Sequence, residues 1–301
     1  MNWQETKDFL SPCFPEEVRD ELALLYPGEL REIRIRVNQQ TVLITSARIA
    51  SLQWRPTKAE VEQLAEALSG HGLYAREWEA RQGFITLCGG HRLGMCGRVQ
   101  MERHGMRGIR DITFLCLRIA AQWPGAADAL MPWVLQDGQI HAALIIGLPG
   151  TGKTTQLRDL ARQLGANALG LNICLADERN ELAACVDGIP QLDVGACTDV
   201  LQGCPKAEAV GWFLRAMRPQ ALITDELASA EDAAAVLEAV YAGVPVLASA
   251  HGSGLHTLAQ RPMLASLMAR RCFDYYAVLD AEGSGQVTAL YDRAGTPIPW
   301  P

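Results

Sequence analysis

The sequence predicts an α/β chain in two parts: a smaller α+β domain over residues 1–121, a linker at 122–138, and a domain over 139–301 with a mostly parallel sheet and crossover helices. Three observations carry this reading. From Gln139 onward, short apolar runs alternate with helical patterns, the rhythm of strand–helix–strand units. A glycine-rich turn, Gly147–Gly152, joins the first such run to an amphipathic stretch. Before residue 122 the runs come instead as hairpins and strands with one charged face. The 301 residues suffice for two domains, and 49% hydrophobic against 20% charged residues is an ordinary globular balance.

In the first part, Glu16–Tyr26 has helical spacing. Along Leu30–Val37, Arg31, Ile33, Ile35 and Val37 alternate with Glu32, Arg34 and Arg36, which predicts a strand with a charged face. Thr41–Ile44 reads as its hairpin partner. Thr57 and Glu60 have the spacing of a capping box, so a helix runs from there to about Ser69. A second helix is predicted over Leu73–Arg81. Phe84–Cys88, Arg92–Met101 and Ile112–Ile119 read as strands, broken at Gly89-Gly90 and near Gly105. Gln122–Gly138, with Pro124, Gly125, Pro132 and Gly138, reads as the linker or a short bridging helix.

In the second part the predicted strands are His141–Ile146, Leu171–Ala176, Gln220–Thr224 and Val244–Ala248. The helices are Lys153–Leu164, Ala207–Met217 and Ala230–Ala242. A last helix, Leu255–Arg270, precedes strands Tyr275–Leu279 and Gln286–Tyr291. Between Ala184 and Lys206, Gly188, Pro190, Gly195, Gly203 and Pro205 predict a long mobile loop.

Composition narrows the setting. No apolar run approaches the roughly 20 residues of a membrane span, and Met1–Asp8 lacks the basic-then-apolar plan of a secretory signal. A cytoplasmic protein with no direct membrane insertion is expected. Nine cysteines, none spaced C-x-x-C, argue for free thiols and against a zinc site. Cys88, Cys116 and Cys174 lie in apolar strands and read as small core residues. The net charge is −7, yet residues 76–118 hold eight arginines against four acids. That excess reads as a solvated, salt-bridged surface or as a face that meets an anion.

The chemistry begins at Gly147-Leu148-Pro149-Gly150-Thr151-Gly152-Lys153-Thr154-Thr155, a G-x-x-x-x-G-K-T phosphate loop. Glycines let the backbone curl until its N–H groups point at phosphate oxygens. The helix starting near Gly152 adds its positive end. Lys153 can reach the β- and γ-phosphates, and the Thr154 hydroxyl can bind Mg²⁺. The loop therefore predicts a bound nucleoside triphosphate.

Farther on, Ala221–Thr224 is an apolar strand ending in Asp225-Glu226, the Walker B arrangement. Asp225 would hold Mg²⁺ and Glu226 would orient or deprotonate the attacking water. Asp177, Glu178 and Glu181 follow the preceding strand, and parallel-sheet enzymes bind ligands at such carboxyl ends, so these acids would support the metal or a water. The alternative is acids enriched at a helix start. His251 follows the next strand and could sense the γ-phosphate. Arg215 and Arg218 either suit a helix C-terminus or stabilise charge at the phosphates.

This order of boxes resembles the secretion ATPase superfamily of type II and type IV systems and pilus motors. Asp199–Glu208, Leu214–Pro219, Asp225–Leu227, Glu238–Gly243, Ala250–Gly252, Glu32–Arg36 and Gly90–Arg98 resemble, more closely, the stage III sporulation protein AA family. The resemblance spans about residues 29–292. It implies a RecA-like P-loop NTPase domain that uses ATP and Mg²⁺. It also implies a cytoplasmic ATPase of the mother cell, energising a secretion-like channel toward the forespore. Hexameric rings and membrane-embedded components of that complex are its implied partners. Related motors take arginines from a neighbouring subunit's amino-terminal domain, a role that would fall to Arg92 and Arg98. Two positions depart from the family: Cys197 where arginine is usual before Thr-Asp-Val-Leu, and Ala228 where glycine is usual. The first removes an anion contact from that loop.

Two other readings remain open from sequence. One is a nucleic-acid-dependent ATPase, its arginines at 76–118 tracking phosphates; net acidity and the lack of interleaved aromatics argue against nucleic acid. The other is a nucleotide-gated scaffold with little hydrolysis.

Overall fold

A computed structural model describes residues 1–70, 79, 83–102, 105–166 and 168–300. Of the helix expected at Leu73–Arg81, all but Glu79 lies outside the described residues. The chain divides into two compact units, Met1–Ala121 with Ala184–Leu192, and Gln122–Ala183 with Asp193–Pro301.

The first unit holds a six-stranded antiparallel sheet. Its strands are β1 (Leu30–Arg36), β2 (Val42–Thr45), β3 (Ile49–Ser51), β4 (Phe84–Thr86), β5 (Arg92–Glu102) and β6 (Gly105–Arg118), ordered β3-β2-β1-β6-β5-β4. Helix Lys58–Leu68 starts at the Thr57–Glu60 capping box and buries Val61, Leu64, Ala65 and Leu68. These pack with Ile33, Ile35, Leu93, Leu115 and Leu117 in one core. The pleat puts Glu32, Arg34, Arg36, Arg92 and Arg118 on the opposite face. A register shift between Leu30 and Glu32 breaks the expected alternation, so Leu30 is buried and Arg31 exposed. A helix at Trp3–Leu10, absent from the sequence reading, begins at an Asn2–Glu5 capping box. Cys88 is a further correction. The strand stops at Thr86 because Gly89 and Gly90 turn the chain at positive φ, which leaves Cys88 exposed in a 3-10 turn.

The second unit is built on eight strands: β9 (Ala143–Gly147), β10 (Ile173–Asp177), β11 (Thr198–Gln202), β12 (Ala221–Glu226), β13 (Val246–His251), β14 (Tyr275–Leu279), β15 (Val287–Asp292) and β16 (Pro297–Ile298). Their order is β11-β10-β12-β13-β9-β14-β15-β16. Pairing is parallel from β11 through β14 and antiparallel beyond. Crossover helices cover the sheet, which is why its strands are nearly continuous apolar runs. Leu144, Ile146, Leu222 and Val246 pack with Phe213, Val236 and Leu264 from three of those helices.

Residues 122–138 pack within this unit. Ala127, Leu130 and Val134 are buried. The Ala127 N–H donates to the Asp159 carboxylate at 2.9 Å, and the Gln156 amide donates to the Ala126 carbonyl at 2.6 Å. A helical turn at Met131–Val134 leads into a two-stranded ribbon, β7 (Leu135–Gln136) and β8 (Gln139–Ile140).

The segment expected as a long mobile loop is ordered instead. Its residues 198–202 form β11, the edge strand beside β10, and Cys185, Leu192 and Val194 are buried. Gly195 (φ 91°) lets the chain pass so close to Gly165 that a Cβ there would stand 2.7 Å from its backbone. The breakers thus fold the chain tightly rather than loosen it. The last predicted helix is split into Leu255–Ala259 and Pro262–Ala269, because Pro262 cannot continue a helix and holds Arg261 extended.

Candidate active site

Strands β12, β13 and β9 are adjacent and parallel, so their carboxyl ends share one edge of the sheet. Register places Glu226 beside Ser249 and His251 beside Gly147. At the end of β9 the chain turns through Gly150 (φ 79°) and Gly152 (φ 96°) into helix Lys153–Leu164. A Cβ on Gly147 would strike the Thr151 hydroxyl at 2.3 Å, and one on Gly152 would meet the Gly285 Cα at 3.0 Å. The glycines are therefore required by close approach as well as by φ. Lys153, 8% exposed, folds back so that its ammonium donates to the carbonyls of Gly147 and Leu148, each at 2.9 Å. Burial lowers its pKa, against the pull of Glu226. Thr154 and Thr155 are half-buried on the first turn of the helix.

Asp225 is the next-to-last residue of β12 and is 6% exposed. Neither of its oxygens receives a well-aligned hydrogen bond from the described residues. Lys206 Nζ stands 2.9 Å from Oδ1 as an ion pair, but its aligned hydrogen bond goes to Glu178 Oε2 at 2.6 Å. Burial pushes the Asp225 carboxyl up to about 6, more than Lys206 pulls it down. Sequence reasoning passed over Lys206. The available signal was a lysine at the first position of a helix, where the dipole disfavours a cation.

The acids after β10 separate by role. Asp177 is fully buried, and its carboxylate accepts the backbone N–H groups of Glu181 (2.8 Å), Leu182 (3.1 Å) and Ala183 (2.8 Å). Burial raises its pKa, with those amides pulling the other way. Arg158 holds the same loop from the other side, donating to the carbonyls of Glu181 and Leu182 at 2.7 Å. Asp177 thus shapes the loop through its carboxylate. Glu178 is turned to Lys206, and Glu181 is half-buried within the clamped loop.

Arg215 is not brought to the crevice. It lies in the last turn of helix Lys206–Ala216, whose first residue is the one beside Asp225. Nine residues of helix put about 13 Å between them. Arg218 is exposed at φ 50°, past the end of that helix. In the first unit, Arg92 lies over the Phe84 ring at 4.1 Å, and Arg98, with 77% of its side chain exposed, pairs with Asp111. Lys58 joins that carboxylate at 2.6 Å, and the two cations hold it down to about 2. Of the other arginines counted between 76 and 118, Arg76, Arg81 and Arg103 lie outside the described residues.

The residues present fit a phosphate chain with a divalent cation. The glycine cradle is backbone-lined, Lys153 is poised at its floor, and Asp225 is a buried carboxylate whose oxygens lack aligned donors. Among the described residues no group of three or more His, Cys, Asp or Glu could hold a metal alone. The arrangement thus suits a cation that arrives with phosphate oxygens and needs one carboxylate and one hydroxyl from the protein.

The family described as "Sporulation stage III, protein AA" matches residues 16–298. Stage III sporulation protein AA of Bacillus subtilis (strain 168) is 42% identical over 293 residues, 95% of each chain. Among solved structures, the Yersinia pseudotuberculosis ATPase DotB is 16% identical with a TM-score of 0.58, over 95% of this chain and 78% of its own. The pilus retraction motor PilT, solved with bound ADP, is 14% identical with a TM-score of 0.54, over 83% and 74%. The likeness to these two is one of fold. The chain belongs to the sporulation stage III protein AA family and has the RecA-like fold that it shares with DotB and PilT.

Proposed function

We propose that this protein hydrolyses ATP to ADP and phosphate and so drives a secretion-like sporulation complex. The observation that carries the reading is Asp225: a buried carboxylate without an aligned donor, on the sheet edge that also holds the glycine cradle and Glu226. Thr154 and Asp225 would hold Mg²⁺, which when bound neutralises phosphate charge. Gly147, Leu148, Pro149, Gly150, Thr151 and Gly152 would cradle the phosphates, with Thr155 beside them on the helix. Lys153 would exchange its two carbonyl partners for phosphate oxygens. Glu226, less buried than Asp225, would orient the attacking water and accept its proton. His251, beside Gly147 in register, would contact the terminal phosphate. Arg215 is left out of its own subunit's chemistry.

The fold shared with DotB and PilT and the identity to the Bacillus protein support the wider reading. The protein would form a ring, hexameric in the family-based expectation, in the mother-cell cytoplasm against membrane-embedded components. No helix among the described residues is long and apolar enough to cross a membrane. Arg92 or Arg98 would reach a neighbour's phosphates, and Arg98 has the more exposed side chain. Glu226→Gln tests the chemistry. It should keep ATP bound while phosphate release falls by about 10²–10⁴; hydrolysis at the wild-type rate would remove Glu226 from its role.

A further inference from the structure

Lys206 has no part in the scheme above, yet it is among the most buried charges in the chain, 6% exposed. Its place is electrostatically costly. It is the first residue of helix Lys206–Ala216, beside the positive end of the dipole, and burial alone pulls its pKa down. Three carboxylates offset both costs: Glu178 at 2.6 Å, Asp225 at 2.9 Å and Asp232 at 4.0 Å. Asp232 is fixed there because its other oxygen accepts the N–H groups of Ala228 and Ser229 at the start of the next helix. The ammonium thus sits against the one carboxylate that a phosphate-borne metal needs. Two cations cannot share Asp225 at close range without strong repulsion.

We propose that Lys206 is a built-in counter-cation that holds Asp225 while the site lacks metal and yields it to the Mg²⁺ carried in by the nucleotide. This rests on the assignment of Asp225 to the metal. The consequence is that metal and nucleotide load together, because free Mg²⁺ must displace a tethered ammonium without phosphate oxygens to help. Glu178 keeps the displaced ammonium, which makes it a positioning residue for Lys206.

The test is Mn²⁺ binding, read by electron paramagnetic resonance on the full-length, nucleotide-free protein. Lys206→Met should bind Mn²⁺ at least ~10-fold tighter than wild type, and Lys206→Arg should behave as wild type. Adding Asp225→Asn to Lys206→Met should erase the gain. A folded Lys206→Met protein with wild-type Mn²⁺ affinity, or a gain that survives Asp225→Asn, overturns the proposal. The wild-type protein gives a second readout should the Met variant not fold. The chain has only four lysines, Lys7, Lys58, Lys153 and Lys206, so acetylation of each can be followed by mass spectrometry. A non-hydrolysable ATP analogue with Mg²⁺ should slow Lys153 and speed Lys206, and with chelator in place of Mg²⁺ only Lys153 should change. Protection of Lys153 with Lys206 unmoved overturns the role of Lys206 alone. No protection of Lys153 overturns the nucleotide site and this proposal with it.

Discussion

Asp177 and Asp225 stand at the carboxyl ends of neighbouring parallel strands, β10 and β12, and both are buried. Around Asp177 the chain wraps a loop whose amides saturate the carboxylate, and Arg158 takes that loop's carbonyls. Around Asp225, among the described residues, no amide donates to the carboxylate, and a tethered ammonium stands 2.9 Å from it. Burying a charge is costly unless it is hydrogen-bonded. The first site meets that cost within the fold. The second leaves it standing, as a site does whose partner comes from outside. Position at a strand end and burial do not separate the two; satisfaction does.

The largest contrast is expected in turnover. Asp225→Asn should cut ATP hydrolysis by about 10³-fold, near 4 kcal/mol in barrier, with unfolding by urea no easier than in wild type. Asp177→Ala should do the reverse to stability, lowering the unfolding free energy by roughly 3–5 kcal/mol, because it orphans several buried amides. A stable Asp177→Ala protein would break the comparison.

His91 extends it into the first unit. Its Nδ1 accepts the Ala120 N–H at 3.1 Å, while Nε2 has no hydrogen-bond partner among the described residues. Burial, with a smaller push from the chain's amino terminus, lowers its pKa to about 4. At His91 the folded state therefore binds fewer protons than the unfolded state between about pH 6.5 and 4. The His91 contribution, full above pH 6.5, should be lost through that window by about 3 kcal/mol, while Asp225, pushed up to about 6 by burial, works in the opposite direction. Denaturant midpoints taken across it should flatten in His91→Gln. An unchanged slope would assign the loss to other groups.

The smallest effect is expected at Arg98. Its pair with Asp111 is exposed, so Arg98→Ala should change stability by less than about 1 kcal/mol. Its sharper use is in the assembled protein. If Arg98 serves a neighbour's phosphates, the variant loses turnover there and keeps ATP affinity. Equal turnover by variant and wild type would leave Arg92 as the candidate.

Much of this was legible in sequence because local chemistry repeats itself. Gly147–Gly152 marked the turn from β9 into its helix, Thr57 and Glu60 the start of another helix, and the apolar run before Asp225 its strand. The losses share one cause. A single sequence shows which residues are charged but not which backbone groups turn toward them. Asp177 was therefore read with Glu178 and Glu181 as possible support for the metal rather than as the centre of its own loop, and Lys206 looked like an ordinary helix lysine. Thr198–Gln202 was hidden among glycines and prolines, because those residues mark a turn without saying whether the turn is tight. Arg215 was left between a helix C-terminus and the phosphates because spacing along a helix does not tell which end of the sheet it reaches; it lies in the last turn of its helix. The Asn2–Glu5 box was readable and was passed over.

The most direct measurement is turnover and urea unfolding on the same preparations of Asp225→Asn and wild type, with Mg²⁺ and ATP. The account predicts phosphate release reduced by about 10³-fold and an unfolding midpoint equal to or above that of wild type. An Asp225→Asn protein that turns over ATP at the wild-type rate, or loses activity only because it unfolds, would contradict it.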